Sequence, residues 1–289
     1  MPSHFSLAYF DPPPELNRHI LTTFFFSTEQ VEIEDRHPGG LGQVVLFPRG
    51  EGEADLPGGV QPVSPGAYMF CGFSAAMGFR MRGPWHSIGA SLSPLGWAAL
   101  TGQPANTHID RLVPAREFLG HDIDVFGDSL IARYNTGTTS GEAACHELAD
   151  WIGRRLGKIA PSHERLIETT ICWLGSSLNP EMEDLFARLT YSRRQGERLI
   201  ERYFGLPPAA LARKFRAVRA AALLSQEDLG DEAEAEIAAA FYDQPHMIRE
   251  IRRFCGYTPS RLGGPADPIF HTMIRLKNFD RLAQFRAIE

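Results

Sequence analysis

The residues best placed to do chemistry are arginines at helical spacing. Arg194, Arg198 and Arg202 recur at i, i+4 and i+8, which sets them on one side of a helix. Further along, His246, Arg249 and Arg253 recur at i, i+3 and i+7. A guanidinium can donate two hydrogen bonds to a guanine edge or neutralise a phosphate. Charge alone would favour a solvated helix face, but the same arrangement in two places weighs against that and favours nucleic-acid contact. No catalytic pattern competes with it, because GxSxG, HExxH, P-loop and GxGxxG motifs do not occur. His37, His86, His108 and His121 are far apart, form no HxH pair, and read as core or surface histidines rather than metal ligands. Cys71, Cys145, Cys172 and Cys255 show no CxxC spacing, which argues against a zinc site and against a disulfide framework. No catalytic residue, metal or cofactor is therefore expected.

Each arginine row needs a helix to carry it and a turn to present it. In the first segment Glu183, Leu185, Phe186 and Leu189 form a short amphipathic helix, and Thr190-Tyr191-Ser192 turns the chain. Ser192 is a good N-cap for the helix that follows. There Leu199, Ile200, Tyr203 and Phe204 make the buried stripe, and Glu197 sits beside Arg198. In the second segment Ile237, Ala238 and Phe241 form a short helix, Tyr242-Asp243-Gln244 turns, and Pro245 suits the first helical position. Met247, Ile251 and Phe254 are the core face, Gly256 fits a C-terminal cap and Pro259 forbids continuation. The pattern is a helix-turn-helix used twice, a layout whose second helix lies in the major groove. Pro208–Leu224 has no breaker after Pro208 and reads as one rigid helix between the two units.

The rest of the 289-residue chain frames these helices. Its net charge of −6 does not suggest nucleic-acid binding, yet residues 188–219 hold nine basic side chains against Glu197 and Glu201. A local basic stretch in an acidic chain is an electrostatic footprint. The acids collect instead at Glu227, Asp228, Asp231, Glu232, Glu234 and Glu236. Up to about Leu119 short apolar runs alternate with Gly/Pro signals. Strands are expected at Gln43–Phe47, Ala67–Phe73, Phe79–Arg82 and Ser87–Leu92, with breaks at Pro48-Arg49-Gly50, Gly83-Pro84 and Ser93-Pro94. Such a pattern suggests a small antiparallel β-barrel or sandwich, in which Phe70, Phe73, Trp85 and Trp97 are plain core or line a ligand cavity. From Ser140 helices take over, first over Glu142–Leu156 and then from Pro161. The fold class is α+β, with a β-rich domain over 1–160 ending in a helix, a helical domain over 161–262 and a tail over 263–289. No run approaches the ~20 apolar residues of a membrane helix, and the first ten residues lack the layout of a secretory signal. A cytoplasmic protein is expected.

Residues 162–262 resemble the DNA-binding domain of AraC/XylS-type transcription regulators. The resemblance is carried by IAAAFYDQPHMIREIRRFCGYTPSRL (Ile237–Leu262), by Ser192 to Arg198, and by Gly205-Leu206-Pro207-Pro208. It implies a sequence-specific DNA-binding regulator whose contacts come from Arg193, Arg194, Glu197, Arg198, Arg202, Gln244, His246, Arg249 and Arg253. Double-stranded DNA and RNA polymerase are the expected partners, with a small-molecule effector and a second copy of the chain as further candidates. The N-terminal region looks like the cupin-like sensor barrel fused to some members, on Asp11–Leu16, His37–Gly40 and Ile88–Pro114. Four positions depart from the pattern. Gly196 replaces an apolar residue, Ile200 a Phe, and Thr190 and Ala240 occupy turns where Gly is common. Gly196 is expected to loosen the first unit, so that Gly196→Leu would stabilise it. Two other readings are an interaction module with a decayed helix-turn-helix and a barrel enzyme with an appended domain.

Overall fold

The computed structural model describes residues 5–226, 229–262 and 268–275. Glu227 and Asp228 of the acidic run, and most of the tail, lie outside them. The chain divides into two compact units. The first takes in the N-terminal stretch to Asp35, Leu41–Phe73 and Gly78–Ile159. The second takes in Arg36–Gly40, Ser74–Met77 and the chain from Ala160 on.

The first unit is built on β1 (Phe5–Phe10), β2 (Ile20–Thr28), β3 (Glu32–His37), β4 (Gly42–Leu56), β5 (Gly59–Val63), β6 (Gly66–Cys71), β7 (Met77–Leu92) and β8 (Leu112–Pro114). These strands form one antiparallel sheet in the order β1-β2-β7-β4-β6-β8, with β3 on β7 and β5 on β4. Four helices accompany it: α1 (Pro94–Thr101), α2 (Arg116–Leu119), α3 (Asp122–Asn135) and α4 (Gly141–Gly153). Alternation along the strands gives the sheet two different faces. Val44, Leu46, Met69, Ile88, Ala90 and Leu92 share one core with Ile123 and Leu130 of α3 and Ala144, Leu148 and Ile152 of α4. On the other face Phe47 packs its ring 4.6 Å from Trp85 and 5.4 Å from Tyr68. Gln43 donates to Ser91 Oγ over 3.3 Å in the same layer.

Two of the expected strand ends are not ends. β4 runs through Pro48-Arg49-Gly50 and β7 through Gly83-Pro84. Both glycines serve close approach rather than a turn. A Cβ on Gly83 would lie 2.0 Å from the Gln30 carbonyl oxygen, and one on Gly50 would lie 2.7 Å from the Trp85 ring. Gly50 also has φ +89° and sits where the β4–β7 register shifts, as a bulge requires. Ser93-Pro94 does end β7, because Ser93 is the N-cap of α1 and accepts from Gly96 N–H.

The second unit is helical: α5 (Pro161–Ser176), α6 (Met182–Arg188), α7 (Arg193–Phe204), α8 (Pro208–Leu224), α9 (Asp231–Ala240), α10 (Gln244–Cys255) and α11 (Pro268–Arg275). α9 starts earlier than its apolar residues suggest. Asp231, Glu232 and Glu234 occupy its first turn, where the helix dipole favours acids. Around α8 the core joins Ala217, Val218 and Ala221 to Ile237, Phe241, Ile251, Phe254 and Phe270. Among the described residues no helix is long and apolar enough to cross a membrane.

Candidate nucleic-acid interface

α7 and α10 are built alike. Each has 12 residues. Ser192 caps α7 by accepting from Gln195 N–H, and Asp243 caps α10 by accepting from His246 N–H over 2.6 Å. Pro245 therefore stands at the second helical position, one later than expected, because Asp243 rather than Gln244 supplies the cap. Both helices end on a left-handed glycine, Gly205 at φ 82° and Gly256 at φ 85°. Ile200, Tyr203 and Phe204 bury one side of α7, joined by Gly196, while Leu199 is only half-buried. On α10 Ile251, Phe254 and Cys255 are buried and Met247 is half-buried.

The departures at the turns have a physical account. α6 and α9 end in extended backbone at Leu189 (φ −87°, ψ 140°) and Phe241 (φ −120°, ψ 149°), so neither turn needs a left-handed residue. Thr190 and Ala240 serve there without strain. Gly196 does not leave a hole either. A Cβ at this position would meet Leu189 Cδ1 at 3.1 Å and Phe186 Cε1 at 3.3 Å. The space an apolar side chain would fill is partly taken by Leu189 and Phe186, so Gly196→Leu is expected to overpack rather than to stabilise.

The outward sides carry the arginine rows. Arg194, Arg198 and Arg202 are exposed on α7, and Arg249, Arg252 and Arg253 are exposed on α10. Gln244 is exposed at the start of α10, and Glu197 is half-buried. Arg193 is engaged within the unit. It donates to Glu183 over 2.7 Å and to Glu197 over 3.4 Å, and its guanidinium lies 4.8 Å from the centre of the Phe186 ring. Arg193 thus ties α6 to α7. His246 turns its ring toward Phe241, with centroids 5.9 Å apart, and its buried Nδ1 has no partner among the described residues.

Two features were not drawn from the sequence. Tyr242 stands 93% exposed immediately before the α10 cap, and Tyr191 holds the matching place before α7. The repetition of Tyr before each cap residue was the available signal. The other feature is Glu250, which faces inward on α10 and accepts two hydrogen bonds from Arg213, at 2.7 and 3.1 Å. Burial pushes its carboxyl up, but the Arg213 hydrogen bonds and the charges of Arg213, His246 and Arg216 outweigh this and hold it below the ordinary glutamate value. Burial pulls Arg216 below the usual guanidinium value. Cys71 and Cys145 are not primed as nucleophiles, since burial pushes their thiols up to about 12.

No curated protein matches the chain. Among solved structures it is similar to ToxT from Vibrio cholerae O395, at 10% identity and a TM-score of 0.45, over 89% of this chain and 96% of that one. Unsaturated fatty acid-bound wild-type ToxT from Vibrio cholerae strain SCE256 gives 10% identity and a TM-score of 0.44 over 90% and 94%. The AraC-like transcriptional activator CuxR gives 15% identity and a TM-score of 0.32 over 75% and 86%. The model of a helix-turn-helix domain matches residues 185–263, the stretch that holds both capped helices and α8 between them. Residues 185–263 of this chain are a helix-turn-helix domain.

Proposed function

We propose that the chain is a sequence-specific DNA-binding regulator of transcription that reads DNA with two heads. α7 and α10 enter successive major grooves on one face of the duplex, about one helical turn or ~34 Å apart. The observation that carries this reading is the repeated design: equal length, the same type of cap at each end, one buried side and one exposed arginine row. Arg194, Arg198 and Arg249 are the base-reading candidates, Arg202 and Arg253 lie further along and lean toward phosphate, and Gln244 stands at the end of α10 that meets base edges. Arg193 orders α6 against α7 with Glu183 and Glu197 and contributes charge rather than a base contact. His246 and Tyr242 flank the α10 cap and contact the backbone or a base edge there.

The first unit binds a small-molecule effector in this reading. Its support is the face opposite the helices, where Phe47, Tyr68, Phe70 and Trp85 form an aromatic cluster in the layer that also holds the Gln43–Ser91 hydrogen bond. RNA polymerase and a second copy of the chain are the protein partners, and the cytoplasm is the compartment that holds both DNA and polymerase. No residue is given a catalytic role.

The test is a footprint of the full-length chain on duplexes selected from a random pool. Protection over two sub-sites one turn apart is expected, with affinity falling steeply as salt rises. Protection of a single groove segment, or equal binding to scrambled DNA, would refute the two-head reading.

A further inference from the structure

Glu250 joins more elements than its place on α10 requires. Its side chain is 6% exposed and takes both the Nε and an Nη of Arg213 on α8. Arg216, one turn along α8, brings its Nη2 to 3.9 Å from the same carboxylate. The Arg216 Nη1 donates to Asn179 Oδ1 over 2.7 Å, just ahead of α6, and its guanidinium lies 5.0 Å from the centre of the Phe241 ring at the end of α9. The cluster therefore ties α10 to α8, to the end of α9 and to the segment just ahead of α6.

Stability does not explain such a group. Ile251 and Phe254 already hold α10 against Ala217, Val218 and Ala221. A buried ion pair is often no better for stability than apolar residues of similar volume. Arg216 Nε is also buried with no hydrogen-bond partner among the described residues, which adds a cost. Direction is what the cluster adds. Apolar contact is non-directional, and helix crossing angles scatter by about 15–20°. A forked guanidinium–carboxylate pair has one geometry. Glu250 lies six residues from the start of α10, which is roughly 9 Å along the axis. A 20° tilt about that point moves the reading end by roughly 3 Å, close to the ~3.4 Å rise along the duplex axis from one phosphate of a strand to the next.

We propose that Glu250, held by Arg213 and Arg216, is a positioning residue that fixes the angle of α10 on α8 and so sets the spacing between the two DNA sub-sites. The proposal rests on the two-head reading above. Its consequence is a specificity for spacing that no base contact supplies.

The experiment measures affinity of the full-length chain for a duplex selected from a random pool, and for the same duplex with its two half-sites moved apart or together by one and two base pairs. The wild-type chain is expected to prefer one spacing by about tenfold, and Glu250→Gln to flatten that preference to about two- to threefold. Arg213→Lys keeps the charge but removes the fork, and the Arg213 side chain is 47% exposed, so this variant carries the same test if Glu250→Gln does not fold. It is expected to flatten the preference as well. If either folded variant loses affinity by the same factor at every spacing, the cluster only supports stability and the proposal is overturned. A wild-type chain that binds its selected duplex specifically but ignores spacing would instead refute the two-head reading.

Discussion

Replacing Gly196 separates a filled site from an empty one. A methyl group there meets Leu189 Cδ1 at 3.1 Å and Phe186 Cε1 at 3.3 Å, so Leu189 must give by a few tenths of an ångström. Gly196→Ala gains about 1 kcal/mol of helix propensity. The tight contact takes back part of this, and a net change between zero and +1 kcal/mol is expected. Gly196→Leu adds three more carbons where Phe186 and Leu189 already stand. Overpacking of this kind costs about 1–3 kcal/mol, which propensity does not offset, so a net loss of about 1 kcal/mol is expected. Two compact units make a single global unfolding energy ill-defined. The assay is therefore urea unfolding of the full chain together with hydrogen exchange of the α7 amides, which localises the effect. A Gly196→Leu chain whose α7 amides are better protected than those of both wild type and Gly196→Ala would refute the packing argument.

Other outcomes follow from the same geometry. Arg249→Ala is expected to cost about 1–3 kcal/mol on the selected duplex and relax preference at one base pair, whereas Arg253→Ala weakens binding on all sequences and lowers the salt slope by about one. Affinity against salt on selected and scrambled DNA distinguishes them, and no change in either variant would mean that this side of α10 does not face the groove. Asp243→Ala removes the α10 cap and is expected to destabilise the second unit by about 1 kcal/mol, read by hydrogen exchange of the first α10 amides. Tyr242→Ala should change stability by less than about 0.5 kcal/mol, because the side chain is exposed, yet lower DNA affinity in a binding titration. Glu250 has a lowered folded-state pKa, so its contribution is present above the unfolded value of about 4.3 and is lost as pH falls below it. Acid unfolding of the second unit should therefore lose part of its pH dependence in Glu250→Gln, and an unchanged acid profile would show that the pair contributes nothing there.

Local signals determined much of the DNA-binding half from sequence alone. α8 has the bounds Pro208–Leu224 because a proline can open a helix and no breaker follows. Ser192 and Gly256 cap their helices because an N-terminal oxygen acceptor and a left-handed glycine satisfy groups only a few residues away. Such bonds depend on nearest neighbours, so residue order suffices. The exposed arginine rows were readable for the same reason, since helical periodicity alone places them opposite the apolar stripe. Only tertiary structure decided what lies across the chain from each residue. Gly83 and Gly50 read as turns, but a neighbouring strand needs their missing side chains, and pairing partners are not written locally. Gly196 reads as a defect until Phe186 and Leu189 are seen in its place. Nothing in the residue order singles out Glu250, which is a buried hub because α8, 37 residues earlier, presents Arg213 to it. Periodicity reports which side of an element is apolar, but not which charged group the fold will bring against it.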